Sequence, residues 1–196
     1  KTQPYVYSEY KIFVAEVAST VNELLFTDYM LKNTKSKEEK AYLLNSLLEE
    51  FRGTLFRQTM FAEFEKIIHN MAENGQALTA HTLCDIYAGL NRKYFGENVI
   101  VDDKIAMEWA RIPHFYTSFY VYKYATGLSA AVALSESILK EGESAVKRYI
   151  EFLSSGDSDY PVELLKKAGV DLTTPAPVEG ALKKFGSILD EFESLL

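Results

Sequence analysis

Cysteine is almost missing from this 196-residue sequence. Cys84 stands alone, which excludes an internal disulfide and any thiolate metal cluster and fits a reducing compartment. No apolar run approaches the roughly 18 residues that a bilayer span requires. The opening KTQPYVYSEY lacks the basic-then-apolar order of a secretion signal. Neither a membrane span nor a signal is expected, and the expected compartment is the cytoplasm. Positive charge is in deficit, with 21 Lys and Arg against 28 Asp and Glu and a formal net charge of -7, the wrong sign for gripping phosphates. Nucleic acid is excluded as an expected partner. A phosphate-binding glycine loop is absent, and no G-x-S-x-G elbow supports a Ser-His-Asp triad. Histidine occurs only at His69, His81 and His114, without the H-E-x-x-H spacing that puts two zinc ligands on one helical face. Each of these, taken singly, is by default a structural or surface histidine.

What is present is helical periodicity. Hydrophobic residues make up 47% and aromatics 13%, enough to bury a sizeable core, and no alternation of period two is sustained. The expected fold is all-α, a single multi-helix domain over residues 1–196, with no repeat or linker. Apolar residues at three- and four-residue steps predict one long helix from after Pro4 to about Asn33. Ser36 followed by Glu39 has capping-box spacing and opens a second, longer helix ending near Asn74 and Gly75. Gly53 inside it weakens helix by roughly 1 kcal/mol relative to Ala, which predicts a kink or a close crossing there.

Thr79 caps a third helix stopped by Gly96, and Asp102 or Asp103 a short fourth through Trp109. Pro113 breaks the pattern. From His114 the chain again reads as helix to about Leu139, its small residues TGLSAAVALSES allowing close helix approach, and Gly142 ends it. Two shorter helices follow, over 146–153 and 161–168, with a loop at 156–159 between them and a last helix after Pro177. The first residue is Lys rather than Met and helical signals begin within about ten residues, so the sequence reads as a piece of something longer.

Two segments could carry chemistry. In FVAEVAST, Glu16 stands among Phe13, Val14, Val17 and Ala18, where an apolar stripe leaves little room for charge. Two accounts are open: a helix-flank carboxylate in an ordinary ion pair, or a buried one partnered by a metal ion. In IPHFYTSFYVYKYATG, His114, Tyr116, Tyr120, Tyr122 and Tyr124 fall within eleven residues. Such a cluster suits stabilisation of an oxyanion on a peptide carbonyl, and equally suits an aromatic core helix.

Together these segments resemble the oligoendopeptidase F family of thimet-like zinc peptidases: FVAEVAST its third-ligand helix, and IPHFYTSFYVYKYATG its His/Tyr substrate segment. FRQTMFAEFE within residues 51–65, LLKKAGVDLTTPAP at residues 164–177 and the following helix resemble the same family in the same order. The resemblance covers essentially the whole chain as the C-terminal part of a zincin-like helical oligopeptidase. It implies that Glu16 is the third zinc ligand, with Ser19 and Glu23 orienting it. One zinc ion serves the complete enzyme. Its two His ligands and general base belong to an H-E-x-x-H that is absent from this sequence and expected just upstream. By the same resemblance Tyr122, Tyr120 and His114 bind the substrate carbonyl and its oxyanion, in metal-assisted hydrolysis of internal bonds of short peptides.

The rival reading is a non-catalytic helical binding module or degenerate relative; a zinc carboxypeptidase of related fold is a further alternative. Glu16 is expected inside a helix and facing an internal groove, with a hydroxyl of Tyr120 or Tyr122 on the same groove. The 196 residues alone are expected neither to hold zinc tightly nor to cleave peptides, and to dimerise through the surface the missing helix leaves.

Overall fold

The computed structural model describes residues 2–196, and every regular element in them is helical, so the fold class is all-α as expected. Eight α-helices account for the bulk of it: α1 Val17–Asn33, α2 Lys37–Phe51, α3 Arg57–Glu73, α4 Ala80–Phe95, α5 Tyr122–Glu141, α6 Glu143–Ser154, α7 Pro161–Ala168 and α8 Ala176–Glu193. Local chemistry sets most of their ends. The Ser36 hydroxyl accepts the Glu39 amide at the start of α2, and Thr79 accepts from Thr82 at the start of α4. The Glu39 carboxylate does not complete the capping box but takes the Thr34 hydroxyl instead. Gly96, at φ 74°, closes α4. Where Gly53 was expected to disturb the second helix, Arg52–Phe56 form a π-helical turn between α2 and α3.

The contacts separate into two compact units, one of Lys1–Arg52 with Thr126–Leu196 and one of Gly53–Ala125. In the first, α2 packs along α8, with Phe51 against Phe185 at 5.9 Å between ring centroids and Lys40 paired to Glu191. Val17, Val21 and Leu44 are buried on the inner faces of α1 and α2. Residues 128–132 of α5 are buried all round, as a helix enclosed by protein should be. The Tyr149 hydroxyl on α6 donates to the Ala18 carbonyl on α1, fixing the first turn of that helix.

The second unit pairs α3 with α4 and lays a 3-10 stretch, Ile105–Arg111, across α4. Asp102, rather than Asp103, caps that stretch by accepting the Ile105 amide at 2.9 Å. Its core joins Phe61, Phe64 and Tyr87 to Ile112 and Val121. The tyrosine-rich segment is thus held in the core at both ends.

Two stretches depart from the expected helices. The first is the run before α1, where Tyr5–Tyr7 and Ile12–Val14 are short 3-10 turns rather than helix. Its polar groups are committed to a distant loop instead. Thr2 and Gln3 side chains donate to the Ser154 carbonyl, the Asp157 amide donates to the Tyr7 carbonyl, and Lys11 pairs with Asp157 at 2.9 Å. Gly156, at φ 54°, permits this approach, since a Cβ there would collide with the Tyr7 carbonyl oxygen. Glu16 consequently lies at the N-cap of α1, not within a helix, and it is exposed rather than facing an internal groove.

The second departure is 117–121, irregular between the 3-10 turn Pro113–Tyr116 and α5. Phe119 has φ 54°, the only non-glycine residue with positive φ among those described. An L-residue in that region costs roughly 1–2 kcal/mol, so something must hold it there. Its amide is taken by the buried Glu65 carboxylate at 2.6 Å rather than by a helical carbonyl.

Candidate functional site

Glu16 is flanked by two buried anchors, Val14 and Val17, so the apolar stripe seen in the sequence exists but Glu16 falls off it. Its carbonyl accepts both the Thr20 amide and the Ser19 hydroxyl, each at 3.0 Å, which fixes the first turn of α1. The Glu16 side chain makes no capping bond. An exposed carboxylate therefore sits at the helix N-terminus, where the dipole favours negative charge. Ser19 acts on the Glu16 backbone rather than on its carboxylate. Glu23, two turns along, is exposed, and its charge adds to burial in holding the Glu50 carboxyl of α2 above its usual range.

Zinc needs three or more protein donors for a closed or catalytic site. Among the described residues no group of three or more His, Cys, Asp or Glu side chains is placed to hold a metal ion. The residues present do not by themselves fit zinc: Glu16 offers one carboxylate.

In the second unit the aromatic segment folds on itself. The His114 ring stacks on Tyr120 at 5.6 Å and 14°, Tyr124 meets both rings edge-on at 5.9 and 5.5 Å, and all three are partly buried. The Tyr124 hydroxyl donates to the Tyr120 hydroxyl at 3.2 Å and lies 3.3 Å from His114 Nε2. With the His114 proton on Nε2, a relay runs from His114 through Tyr124 to Tyr120. In that arrangement each donor polarises the next, and the Tyr120 proton is left to donate to a further acceptor. Tyr122, which opens α5, and Tyr116 are exposed.

Tyr124 was noted in the sequence but not selected. Helical spacing could not have selected it, because Tyr120 lies in the irregular stretch before α5 and only Tyr124 is on the helix.

Two buried carboxylates support this unit, and neither was singled out from sequence. Glu65, 3% exposed on α3, accepts the Phe119 amide and lies 4.0 Å from His69 Nε2. It stands among Phe61, Phe64 and Ile68 at helical spacing, a pattern like that of Glu16, and there the burial is real. Glu108 gathers the Tyr87 hydroxyl at 2.7 Å with Arg57 and Arg111. Burial, then the hydrogen bond and charge of Glu108, push the Tyr87 hydroxyl pKa well above its usual range. Glu108 carried little signal because its partners lie far away in sequence or beside it on an exposed turn.

The profile of peptidase family M3 matches residues 1–184. Over all 196 residues the chain is 58% identical to the oligopeptidase PepF of Bacillus subtilis, covering 29% of it, and 43% identical to the chromosomal oligoendopeptidase F of Lactococcus lactis subsp. cremoris, covering 33%. Among solved structures, oligoendopeptidase-F from Enterococcus faecium superposes with a TM-score of 0.90 at 49% identity, over 97% of this chain and 36% of that one. A putative peptidase from Chlamydophila abortus superposes with a TM-score of 0.93 at 46% identity, over 100% of this chain and 33% of that one. The chain spans about a third of the length of the relatives it matches.

Proposed function

The chain belongs to peptidase family M3, and from that premise we propose that it is the substrate-side portion of a zinc metalloendopeptidase that hydrolyses internal bonds of short peptides. The observation that carries the reading is the relay ending at the Tyr120 hydroxyl, a donor suited to a carbonyl oxygen that gains charge. In this reading Tyr120 donates to the peptide carbonyl oxygen and Tyr124 and His114 hold and polarise it. Tyr122, from the same segment, contacts the peptide. His114 is proposed alternatively as a direct donor to the peptide backbone or its oxyanion.

Glu16 is proposed as the third zinc ligand of the longer protein. The two His ligands and the general base come from an H-E-x-x-H helix outside these residues. That helix would cover the exposed turn at Glu16; without it, copies of this chain are proposed to associate there. The cytoplasm is the proposed compartment, and no helix among the described residues is long and apolar enough to cross a membrane.

The test compares the 196-residue chain, a version extended upstream to include H-E-x-x-H, and that version carrying Glu16→Ala. Zinc content and cleavage of a quenched peptide with blocked ends are measured. Stoichiometric zinc and turnover are expected only in the unaltered extended protein. Tyr120→Phe in that protein is expected to lower kcat about a hundredfold, the usual effect of removing one oxyanion donor. An extended protein that lacks metal and activity supports a non-catalytic binding module instead, and cleavage only from a free C-terminus supports a carboxypeptidase. Turnover by the 196 residues alone, or normal zinc binding by Glu16→Ala, refutes the assignment.

A further inference from the structure

The segment that presents Tyr120 is pinned unevenly. Ile112 and Val121 are buried at its ends, and Phe115 packs on Phe61 and Phe64 at 5.5 and 5.4 Å. Between Phe115 and Tyr120 the backbone takes the unfavourable turn at Phe119, φ 54°. What meets that turn is polar: the Glu65 carboxylate, 3% exposed, accepts the Phe119 amide at 2.6 Å. A bond of that length to a buried carboxylate is of the strong, charge-assisted kind. The His69 ring, one helical turn beyond Glu65, packs at a tilt against the Phe119 ring, 4.5 Å between centroids, and adds a second contact to the same turn.

From this we infer that Glu65 is a positioning residue for peptide hydrolysis, holding the 117–121 turn so that the Tyr120 hydroxyl stays in line with Tyr124 and His114. The inference rests on the proposed role of Tyr120. The physical reason is reach. Tyr120 follows Phe119 directly, so relaxation of φ at Phe119 to the ordinary negative region swings the Tyr120 backbone and takes its ring off His114. A displacement of about 1 Å in a donor costs up to about a hundredfold in rate. Glu65 does not touch substrate in this account; it acts through the backbone one residue before the donor.

The experiment uses the upstream-extended peptidase, with kcat and KM measured on a quenched peptide well below each variant's thermal midpoint. Glu65→Ala, which removes the acceptor, is expected to lower kcat about tenfold to a hundredfold with KM little changed, as for an interaction felt in the transition state. Glu65→Gln keeps an oxygen acceptor of the same shape and is expected to retain activity within about threefold, because a weaker neutral bond to the Phe119 amide still sets the position of the turn. Glu65→Ala combined with Tyr120→Phe is expected to be little worse than Tyr120→Phe alone, because both act through one hydroxyl.

On the 196-residue chain itself, exchange of the Phe119 amide is followed by NMR, and Glu65→Ala is expected to speed it while Glu65→Gln largely preserves it. If Tyr120→Phe leaves kcat intact, the functional reading fails. If Tyr120→Phe is costly but Glu65→Ala is not, or the two losses multiply independently, the positioning inference fails while that reading stands. Should Glu65→Ala not fold, Glu65→Gln decides alone: a protected Phe119 amide with a large kcat loss, or an unprotected one with full activity, overturns it.

Discussion

Glu108→Ala offers a sharp test of what holds the second unit together. Glu108 is 6% exposed and serves three donors: the Tyr87 hydroxyl, from a ring with no exposure at all, Arg57 with 32% of its side chain exposed, and Arg111 with 74%. Removing the carboxylate strands the Tyr87 hydroxyl in the core, at a cost of about 1–3 kcal/mol. Arg57 is partly open to water and keeps a cation-π contact with Phe61 at 5.2 Å, so its lost pair is discounted to about 1 kcal/mol. Arg111 is exposed enough that its share is about 0–0.5 kcal/mol. The expected total is about 3 kcal/mol, roughly a hundredfold in the folded-to-unfolded ratio. Urea unfolding of the chain should show a lower midpoint at unchanged slope.

The double variant Glu108→Ala with Tyr87→Phe removes the stranded hydroxyl as well. It should recover about 1–2 kcal/mol relative to Glu108→Ala alone, because a buried pair deleted together costs less than half of it deleted singly. A Glu108→Ala protein within about 1 kcal/mol of the parent, or a double variant less stable than the single, would refute this account of the core.

Stability is also expected to fall on the alkaline side. Burial and then Glu63 push the Tyr94 hydroxyl up to about 12, and Tyr87 is pushed higher still. Both groups hold their protons more tightly folded than unfolded, so their contribution is full below about pH 10 and is lost as pH rises through the folded values. Urea midpoints should decline between pH 10 and 12, and Tyr94→Phe should flatten that decline; an unchanged slope contradicts the assignment. Gly156→Ala should cost more than the roughly 1–2 kcal/mol of a left-handed L-residue, since the new Cβ also meets the Tyr7 carbonyl. Faster hydrogen exchange at the Asp157 amide, with α6 still protected, is the expected signature; an unchanged rate would mean the loop accommodates the methyl.

Most helix boundaries were legible because they are written in local chemistry. Ser36, Thr79, Gly96, Gly142 and Pro161 each act within a residue or two of where they stand. The stretches misjudged as helix share the opposite property. Before α1, Thr2 and Gln3 hold the Ser154 carbonyl while the Tyr7 carbonyl and Lys11 hold Asp157, and Phe119 gives its amide to Glu65, so in both cases the deciding partner is distant in sequence. Neither apolar spacing nor capping residues carry that information. The family resemblance named the His/Tyr segment and Glu16, yet it could not say that Tyr124 completes the hydroxyl relay, which depends on where α5 begins.

Glu16 and Glu65 make the same point from opposite sides. Both stand among apolar neighbours at helical spacing, and the spacing argument predicts burial for either. It holds for Glu65 because α3 runs unbroken through it, so Phe61 and Ile68 lie on its own face. It fails for Glu16 because the α-helix starts one residue later, at Val17, and the residues before it follow a different phase. The helical period begins only at Val17. What remains at Glu16 is a carboxylate whose backbone is fixed between two buried valines while its charge stays in water. Such a group is oriented without being neutralised, and a single carboxylate has no means of holding a divalent ion against bulk water. A ligand role for Glu16 therefore depends on donors brought to it. Metal content in the upstream-extended protein, measured with and without Glu16→Ala, tests that dependence directly, whereas loss of activity alone would not separate a missing ligand from a disturbed start of α1.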